Sequence, residues 1–188
     1  MRPNKKDELV RKALTVFYRD GFHATGMDKL VAETGVSKTS MYKHFRTKEE
    51  LIVAVLKLRD ESFREWFERR VDELADTPAD KILASFDALV EWFEEDSYRG
   101  CMFINAGAEF NCKDDPIRQE AAHHKQVLLD YFTNLARQAG ARDPELLGCR
   151  ILLLKEGAIV TSSLLGTAQP ACDAKETARI LLDEALKG

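Results

Sequence analysis

Side chains that can donate hydrogen bonds are concentrated in one stretch of the sequence, Gly-Val-Ser-Lys-Thr-Ser-Met-Tyr-Lys-His-Phe-Arg-Thr-Lys, which runs from Gly35 to Lys48. Hydroxyl, ammonium and imidazole groups can donate to phosphate oxygens, and a lysine can also donate to guanine in the major groove of DNA. The chemistry that this stretch predicts is therefore contact with nucleic acid.

The elements that would position these side chains are two short helices joined by a turn at Gly35. We expect Thr25 to cap the first helix, with Asp28 as its capping-box partner. Ser37 is expected to cap the second helix, which ends near His44. A helix that braces and a second helix that enters the major groove form a helix-turn-helix motif.

Several kinds of DNA contact are expected from this motif. Small residues at the start of the second helix let its backbone approach base edges, and its two lysines can reach guanine or phosphate. Tyr42 and His44 can bond phosphate oxygens, which fixes the register without reading sequence, although Tyr42 could instead be a core aromatic. Lys48 and Thr25 lie beside helix N-termini, where phosphate binds well. The predicted DNA-binding residues are Thr25, Ser37, Lys38, Thr39, Ser40, Tyr42, Lys43, His44 and Lys48.

The charge distribution supports the same interpretation. Residues 1–48 contain 11 basic and 5 acidic side chains, a net charge of +6. The remaining residues contain 17 basic and 27 acidic side chains, a net charge of −10. A basic end joined to an acidic body indicates that only the N-terminal part meets a polyanion.

The pattern Gly-Val-Ser-x-x-x-x-Tyr-x-His-Phe-x-x-Lys-x-x-Leu is complete from Gly35 to Leu51. It resembles the N-terminal domain of the TetR family of transcriptional regulators. The resemblance implies a one-component regulator, a homodimeric repressor of a palindromic operator in double-stranded DNA, with an effector pocket in the middle of the chain. It also implies that the residues predicted above other than Ser37, from Thr25 to Lys48, face DNA.

Apolar residues recur at helical spacing through most of the chain, while proline and glycine are sparse, which predicts an all-α fold. We expect about nine helices: a three-helix DNA-binding domain over residues 1–48 and a larger helical effector-binding and dimerisation bundle over residues 49–188. The first helix should begin near Asn4, the fifth end near Asp96, the eighth end near Ala168, and the last be capped by Asp173.

Large aromatic side chains in the body could line an apolar cavity for a small-molecule effector, or simply fill a solid core. Asn105 and Glu109 are polar residues on an apolar helix, so each needs a hydrogen-bond partner. That partner could be a ligand or a neighbouring helix. The predicted ligand-binding residues are Phe63, Trp66, Phe67, Phe86, Trp92, Met102, Phe103, Asn105 and Glu109. In one alternative the body docks a partner protein and binds no effector.

Cys101 provides a second alternative, because a cysteine with a lowered pKa and solvent access can sense oxidants. A buried cysteine that behaves as a small hydrophobic residue is the commoner case. The four cysteines lack C-x-x-C spacing, so neither a zinc site nor a disulfide framework is predicted.

Two apolar helices near the C-terminus are expected to form a homodimer interface. Leucine and isoleucine between Leu146 and Leu165 are too numerous for one face of a surface helix, and small residues such as Gly157 allow close approach. A dimer would place two recognition helices about 34 Å apart, in successive major grooves.

Other classes of function are not favoured by the sequence. Glu120 and His123 form one Glu-x-x-His step, whereas a carboxylate-bridged di-iron bundle needs two copies. No motif for a phosphate loop, a nucleophile elbow or a cofactor is present, so neither catalysis nor a metal is expected. No apolar run approaches the roughly 20 residues that span a bilayer, and we expect a soluble, cytosolic protein with no membrane partner.

Overall fold

The computed structural model describes residues 5–187, and within this range every regular element is an α-helix. The nine helices there are α1 Lys5–Asp20, α2 Met27–Thr34, α3 Lys38–His44, α4 Lys48–Leu74, α5 Pro78–Phe93, α6 Met102–Glu109, α7 Pro116–Gln138, α8 Pro144–Leu165 and α9 Gln169–Leu186. The all-α prediction is confirmed.

The chain forms two compact units. Among the described residues, the first unit contains residues 5–63 together with Met102–His124, and the second contains Arg64–Cys101 together with residues 125–187. Helices α4 and α7 each contribute residues to both units. The expected boundary at residue 48 coincides with the first residue of α4, and its role as a division of function stays a prediction.

The core of the first unit begins with α1, which buries Leu9, Ala13 and Phe17 at helical spacing. The ring of Phe17 lies 5.4 Å from that of Phe22 in the following turn. Leu30 of α2 is also completely buried. Burial of several large apolar side chains, each worth about 1.5–3 kcal/mol, holds these short helices in place.

The second unit is built mainly on the packing of α5, α8 and α9. Gly148 of α8 lies close to Thr133 of α7, where an added Cβ would be 2.4 Å from the threonine Oγ1 and 2.9 Å from its backbone nitrogen. A side chain larger than hydrogen would therefore force the two helices apart. This glycine explains how α7 and α8 approach so closely.

Several helix ends differ from the sequence predictions. Asn4, the expected start of α1, lies outside the described residues, and α5 ends at Phe93, before Asp96. Helix α8 ends at Leu165 because Gly166 adopts the left-handed conformation with φ 67°. Helix α9 begins at Gln169 and not at Asp173, because Pro170 occupies its first turn, where a proline needs no backbone donor.

Candidate nucleic-acid interface

The turn between α2 and α3 is fixed by local hydrogen bonds. Gly35 has φ 68° and donates its N–H to Val31 O at 3.0 Å. The buried Thr34 hydroxyl donates to Leu30 O at 2.6 Å and accepts the N–H of Val36 at 3.2 Å. Thr34 was not among the predicted residues, and its bond pattern explains why the two short helices keep one angle.

Helix α3 presents most of the predicted DNA-binding residues on one element. Ser37 caps it as predicted, accepting the N–H of Ser40 at 3.2 Å. Met41 and Phe45 are buried and anchor the helix to the unit. The side chains facing away from this anchor are exposed at Ser37, Lys38, Thr39, Tyr42 and Lys43, and half-buried at Ser40 and His44.

Lys38 has an acidic partner on α2. Its ammonium lies 3.0 Å from Asp28 Oδ1, and 92% of the Asp28 side chain is exposed. The hydrogen bond to this carboxylate raises the pKa of Lys38. Asp28 was expected only as a capping partner, and the structure instead adds a carboxylate to the surface that carries the lysines.

Thr25 does not have the predicted position. Gly26 is the N-cap of α2, without a side-chain cap, and Thr25 precedes it. The Thr25 residue is 0% exposed, and its hydroxyl has no hydrogen-bond partner in the part of the chain that the structure describes. Thr25 therefore does not cap α2, contrary to expectation. Its buried hydroxyl also cannot reach phosphate in this conformation, although a phosphate contact was expected.

Lys48 is half-buried, and its ammonium is directed into the protein. It donates to Phe22 O at 3.0 Å and to Thr25 O at 3.2 Å. These bonds join the start of α4 to the turn between α1 and α2. The geometry gives Lys48 a structural task that the sequence did not predict, and its contact with DNA stays a prediction.

Glu109 holds the same turn from α6. Its Oε1 accepts the N–H of Phe22 at 3.0 Å, and its Oε2 accepts the N–H of His23 at 2.5 Å. The ring of Phe110 stacks on that of His23, with centroids 4.6 Å apart. The polar partner that Glu109 needed is thus supplied by backbone within the first unit. Sequence separation of 86 and 87 residues hides such a contact from any local pattern.

Two of the remaining ligand-binding candidates of the first unit, Phe63 and Phe103, contact a buried histidine. His124 Nδ1 lies 2.6 Å from Asp60 Oδ1, and its ring stacks on Phe103 with centroids 3.7 Å apart. The ring of Phe63 meets the imidazole edge-on at 6.0 Å. Met102 is buried, whereas Asn105 is exposed and faces no interior space.

Four ligand-binding candidates belong to the second unit. Phe67 is fully buried and packs edge-on against Tyr131 and Phe132, while Trp66 is half-buried. Trp92 is buried beside Phe93 and Tyr98. Phe86 lines a recess of about 260 Å³, whose rim carries the ion pair of Lys175 and Asp87 at 2.6 Å. Of the four candidates, Phe67, Phe86 and Trp92 are buried, and Trp66 packs against Phe67.

Cys101 is buried next to a lysine. Its Sγ lies 3.4 Å from Lys125 Nζ, which also pairs with Glu156 at 2.5 Å. Burial opposes the charge of Lys125, but the thiol and the carboxylate outweigh it and raise the pKa of this lysine. Lys155 lies 3.5 Å from the same carboxylate and 5.6 Å from the ring centroid of Phe67, and burial lowers its pKa.

Helix α8 exposes an apolar stripe, defined here as Leu146, Leu153, Val160 and Leu164. Leu153 is 72% and Leu164 81% exposed, which is unusual for leucine. Their spacing of seven, seven and four residues places them on one face. Gly157, exposed within this stretch, has open space where a Cβ would be. Such a face can receive another helix.

The described residues include neither a membrane-spanning helix nor a cluster of metal ligands. Between Lys5 and Lys187 no helix combines the length and apolar character needed to cross a bilayer. Glu120 of the Glu-x-x-His step pairs with Lys57 at 3.3 Å, and His123 is exposed. Over the same range no three potential metal ligands lie together.

Comparison with known proteins gives matches over both parts of the chain. Residues 9–55 match the family model for bacterial regulatory proteins of the tetR family. Residues 78–178 match the model for the tetracyclin repressor-like C-terminal domain. The second match alone covers more than half of the sequence.

Three individual relatives are 22–31% identical to this chain over the aligned residues. The HTH-type transcriptional activator FasR of Mycolicibacterium smegmatis is 31% identical over 96 residues, which are 51% of this chain and only 43% of FasR. The HTH-type transcriptional regulator YjdC of Escherichia coli is 22% identical over 183 residues, covering 97% of this chain and 94% of YjdC. The crystal structure of SCO4454, a TetR-family transcriptional regulator from Streptomyces coelicolor, superimposes with a TM-score of 0.89 at 26% identity, covering 96% and 95% of the two chains.

Proposed function

Because the chain belongs to the TetR family of bacterial regulatory proteins and is a DNA-binding transcriptional regulator, not an enzyme, we propose that it is a homodimeric repressor. It binds a palindromic operator in cytoplasmic DNA and leaves it when a small-molecule effector binds. The observation that carries the proposal is α3: a capped helix with a buried anchor and an outer face of hydroxyls, a tyrosine and two lysines.

The exposed face of α3 supports a defined set of contacts. Ser37 and Thr39 are short and permit close approach to base edges, while Lys43 carries a charge that can reach guanine or phosphate. Tyr42 and His44 bond phosphate oxygens and set the register. Lys48 also donates to the carbonyls of Phe22 and the buried Thr25, and so holds the turn that precedes α2.

A dimer is proposed from the length of α3 and from the stripe on α8. A helix of seven residues makes too few base contacts for specific binding by one protomer. The leucines of the stripe would lose their exposure against a second copy, at about 25 cal/mol per Å² of apolar area buried. A two-fold axis through this interface generates the two recognition helices that a palindrome requires.

Effector control is proposed to act through α4. This helix starts at Lys48, which is bonded to the turn before α2, and it carries Phe63, Trp66 and Phe67 among the aromatic candidates of the body. A ligand that prefers one placement of α4 shifts the population toward it. Linkage then requires that effector and operator weaken each other by the same factor.

Selection of binding sites from a random duplex library tests this function. We expect enrichment of an inverted repeat at near-physiological salt, a condition that matters because phosphate contacts depend on ionic strength. Small molecules that raise the melting temperature are then titrated with and without the selected duplex. An effector affinity that is identical in both titrations excludes the proposed coupling, and a folded protein that enriches no motif excludes specific DNA reading.

A thiol sensor at Cys101 is a second candidate, favoured by the ammonium of Lys125 at 3.4 Å. A cation beside the sulfur is a feature of many reactive cysteines. Cys101→Ser should then abolish oxidant-induced release of DNA, whereas Cys112→Ser, at an exposed cysteine, should not. A Cys101→Ser protein that still responds to oxidant removes this candidate.

A further inference from the structure

The ion pair between Asp28 and Lys38 lies on the surface proposed to face DNA, and its presence there needs a reason. Exposed pairs of this kind contribute little to stability. A carboxylate brought toward a duplex also meets about one phosphate charge per 1.7 Å of helix axis. Asp28 is therefore unfavourable for binding unless the duplex offers its carboxylate a hydrogen-bond donor.

The duplex has such donors in the major groove, on the amino groups of cytosine and adenine. In a G·C pair, cytosine N4 and guanine O6 are partners in one Watson–Crick hydrogen bond and so lie about 2.9 Å apart. Lys38 Nζ and Asp28 Oδ1 lie 3.0 Å apart. The ion pair therefore presents a donor and an acceptor at the spacing of the acceptor and donor on the base pair.

We propose that Asp28 and Lys38 together read one G·C base pair in each half-site, with Lys38 donating to guanine and Asp28 accepting from the cytosine amino group. This inference rests on the proposed DNA-binding function and adds a specificity-determining residue to it. Guanine offers the ammonium two adjacent acceptors, N7 and O6. A T·A pair also offers an acceptor and a donor, thymine O4 and adenine N6, but thymine has a methyl group where guanine has N7. Only G·C therefore gives Lys38 two acceptors while it gives Asp28 an amino donor.

The geometry allows both side chains to act at once. Asp28 lies in the first turn of α2 and Lys38 is the first residue of α3, so they face each other across the helix-turn-helix. Their side chains are 92% and 52% exposed, respectively, and remain accessible while paired. The pair also holds the flexible lysine near one position, which reduces the entropy lost when it binds a base.

The test compares Asp28→Ala, which removes the acceptor oxygens, with Glu33→Ala, which removes the same charge from the same helix. Glu33 pairs with Arg19 at 3.1 Å and has no contact with Lys38 in the described residues. Site selection with the wild type is expected to yield an inverted repeat with a G·C pair in each half-site. Asp28→Ala should lower discrimination at that pair by about fivefold or more, while Glu33→Ala leaves it unchanged. Lys38→Gln should affect the same base pair.

A duplex with a cytosine analogue that lacks the N4 amino group identifies the atom involved. The wild type and Glu33→Ala should bind this duplex less tightly than the natural one, and Asp28→Ala should bind both equally. Melting temperatures of the variants near that of the wild type verify folding. Unchanged base preference in Asp28→Ala, or an equal change in Glu33→Ala, overturns the proposal. Failure of the wild type itself to enrich any motif overturns the proposed function instead.

Discussion

Glu109 Oε2 accepts the backbone N–H of His23 at 2.5 Å and lies 2.9 Å from its ring Nδ1. The same carboxylate also accepts the N–H of Phe22, and Lys48 donates to the carbonyl of that residue. The turn between α1 and α2 is thus bonded to the C-terminal end of α6 and to the first residue of α4. This turn determines where α2 begins.

The stability contributed by Glu109 should depend on pH. Burial opposes its charge, but the N–H groups of His23 and Phe22 outweigh this effect and lower the pKa of the carboxyl. A carboxyl with a lowered folded-state pKa stabilises the fold above its unfolded pKa, about 4.3, and loses that contribution as pH falls through the folded value. Glu109→Gln should therefore reduce the free energy of unfolding by about 1–2 kcal/mol at pH 7, and the difference from wild type should shrink below pH ~4.

Urea unfolding of the wild type and of Glu109→Gln, from about pH 3 to about pH 8, measures this difference in the free energy of unfolding. Glu61→Gln is the control, because Glu61 is exposed on α4 in the same unit. A loss of stability in Glu109→Gln that stays constant at low pH contradicts the assigned contacts.

Lys155 should give the fold an alkaline pH dependence. Burial is the largest influence and lowers its pKa, while the carboxylate of Glu156 opposes this. The unfolded chain keeps the ordinary lysine pKa, about 10.4, and so holds the proton more tightly. Stability must rise with pH through the window from the lowered folded pKa to that value.

Comparison with Lys155→Met isolates this effect. In chemical unfolding, the wild type should gain stability relative to the variant as pH rises toward the unfolded lysine pKa of about 10.4. Lys113→Met, at an exposed lysine, should show no such relative gain. A stability difference that does not change with pH over the alkaline range means that burial does not lower the pKa of Lys155.

Tyr42 and Lys43 should have separate effects on DNA binding. Tyr42→Phe removes a hydroxyl proposed to bond phosphate, so binding to all duplexes should weaken by a similar, modest factor. Lys43→Ala should change the preference among sequences, since Lys43 is proposed to reach a base. Competition binding against a panel of duplexes separates the two patterns. If both variants bind every duplex like the wild type, α3 does not face DNA.

The stripe on α8 should control oligomeric state. Leu153→Glu places a charge at a position that is 72% exposed in one chain, and we expect sedimentation to show a monomer. Affinity for an inverted repeat should then fall by roughly tenfold or more, because the second recognition helix is no longer held nearby. Leu74→Glu, at an exposed leucine at the end of α4, should remain dimeric. A dimeric Leu153→Glu protein places the interface elsewhere.

Local sequence signals predicted the local structure well. Ser37 and Gly35 delimit α3 and α2 as expected, and Thr47 caps α4 by accepting the N–H of Glu50. These features depend on side chains within four residues of one another. Pro170 carries two opposing signals. A proline often follows the end of a helix, which favours an α8 that extends to near Ala168. A proline equally suits the first turn of a helix, and Pro170 lies in the first turn of α9.

The site was predicted less completely, for a physical reason. Whether Lys48 reaches phosphate or a carbonyl depends on the position of Phe22 O, which is 26 residues away in sequence. The partner of Glu109 and the burial of Thr25 are set by tertiary packing in the same way. The ion pair of Asp28 and Lys38 also crosses the turn between two helices, and helical periodicity carries no signal for it.

Whether one dimer reads two half-sites at once is tested by inserting base pairs between the half-sites of the selected inverted repeat. The quantity measured is the affinity of the wild type for each duplex. Two recognition helices on one dimer should favour half-sites centred about 34 Å, or about 10 base pairs, apart. Insertion of about 5 base pairs turns the half-sites to opposite faces of the duplex. We predict a loss of affinity of roughly tenfold or more, to the level of a single half-site. Equal affinity for both duplexes would contradict a dimer that reads two half-sites at once.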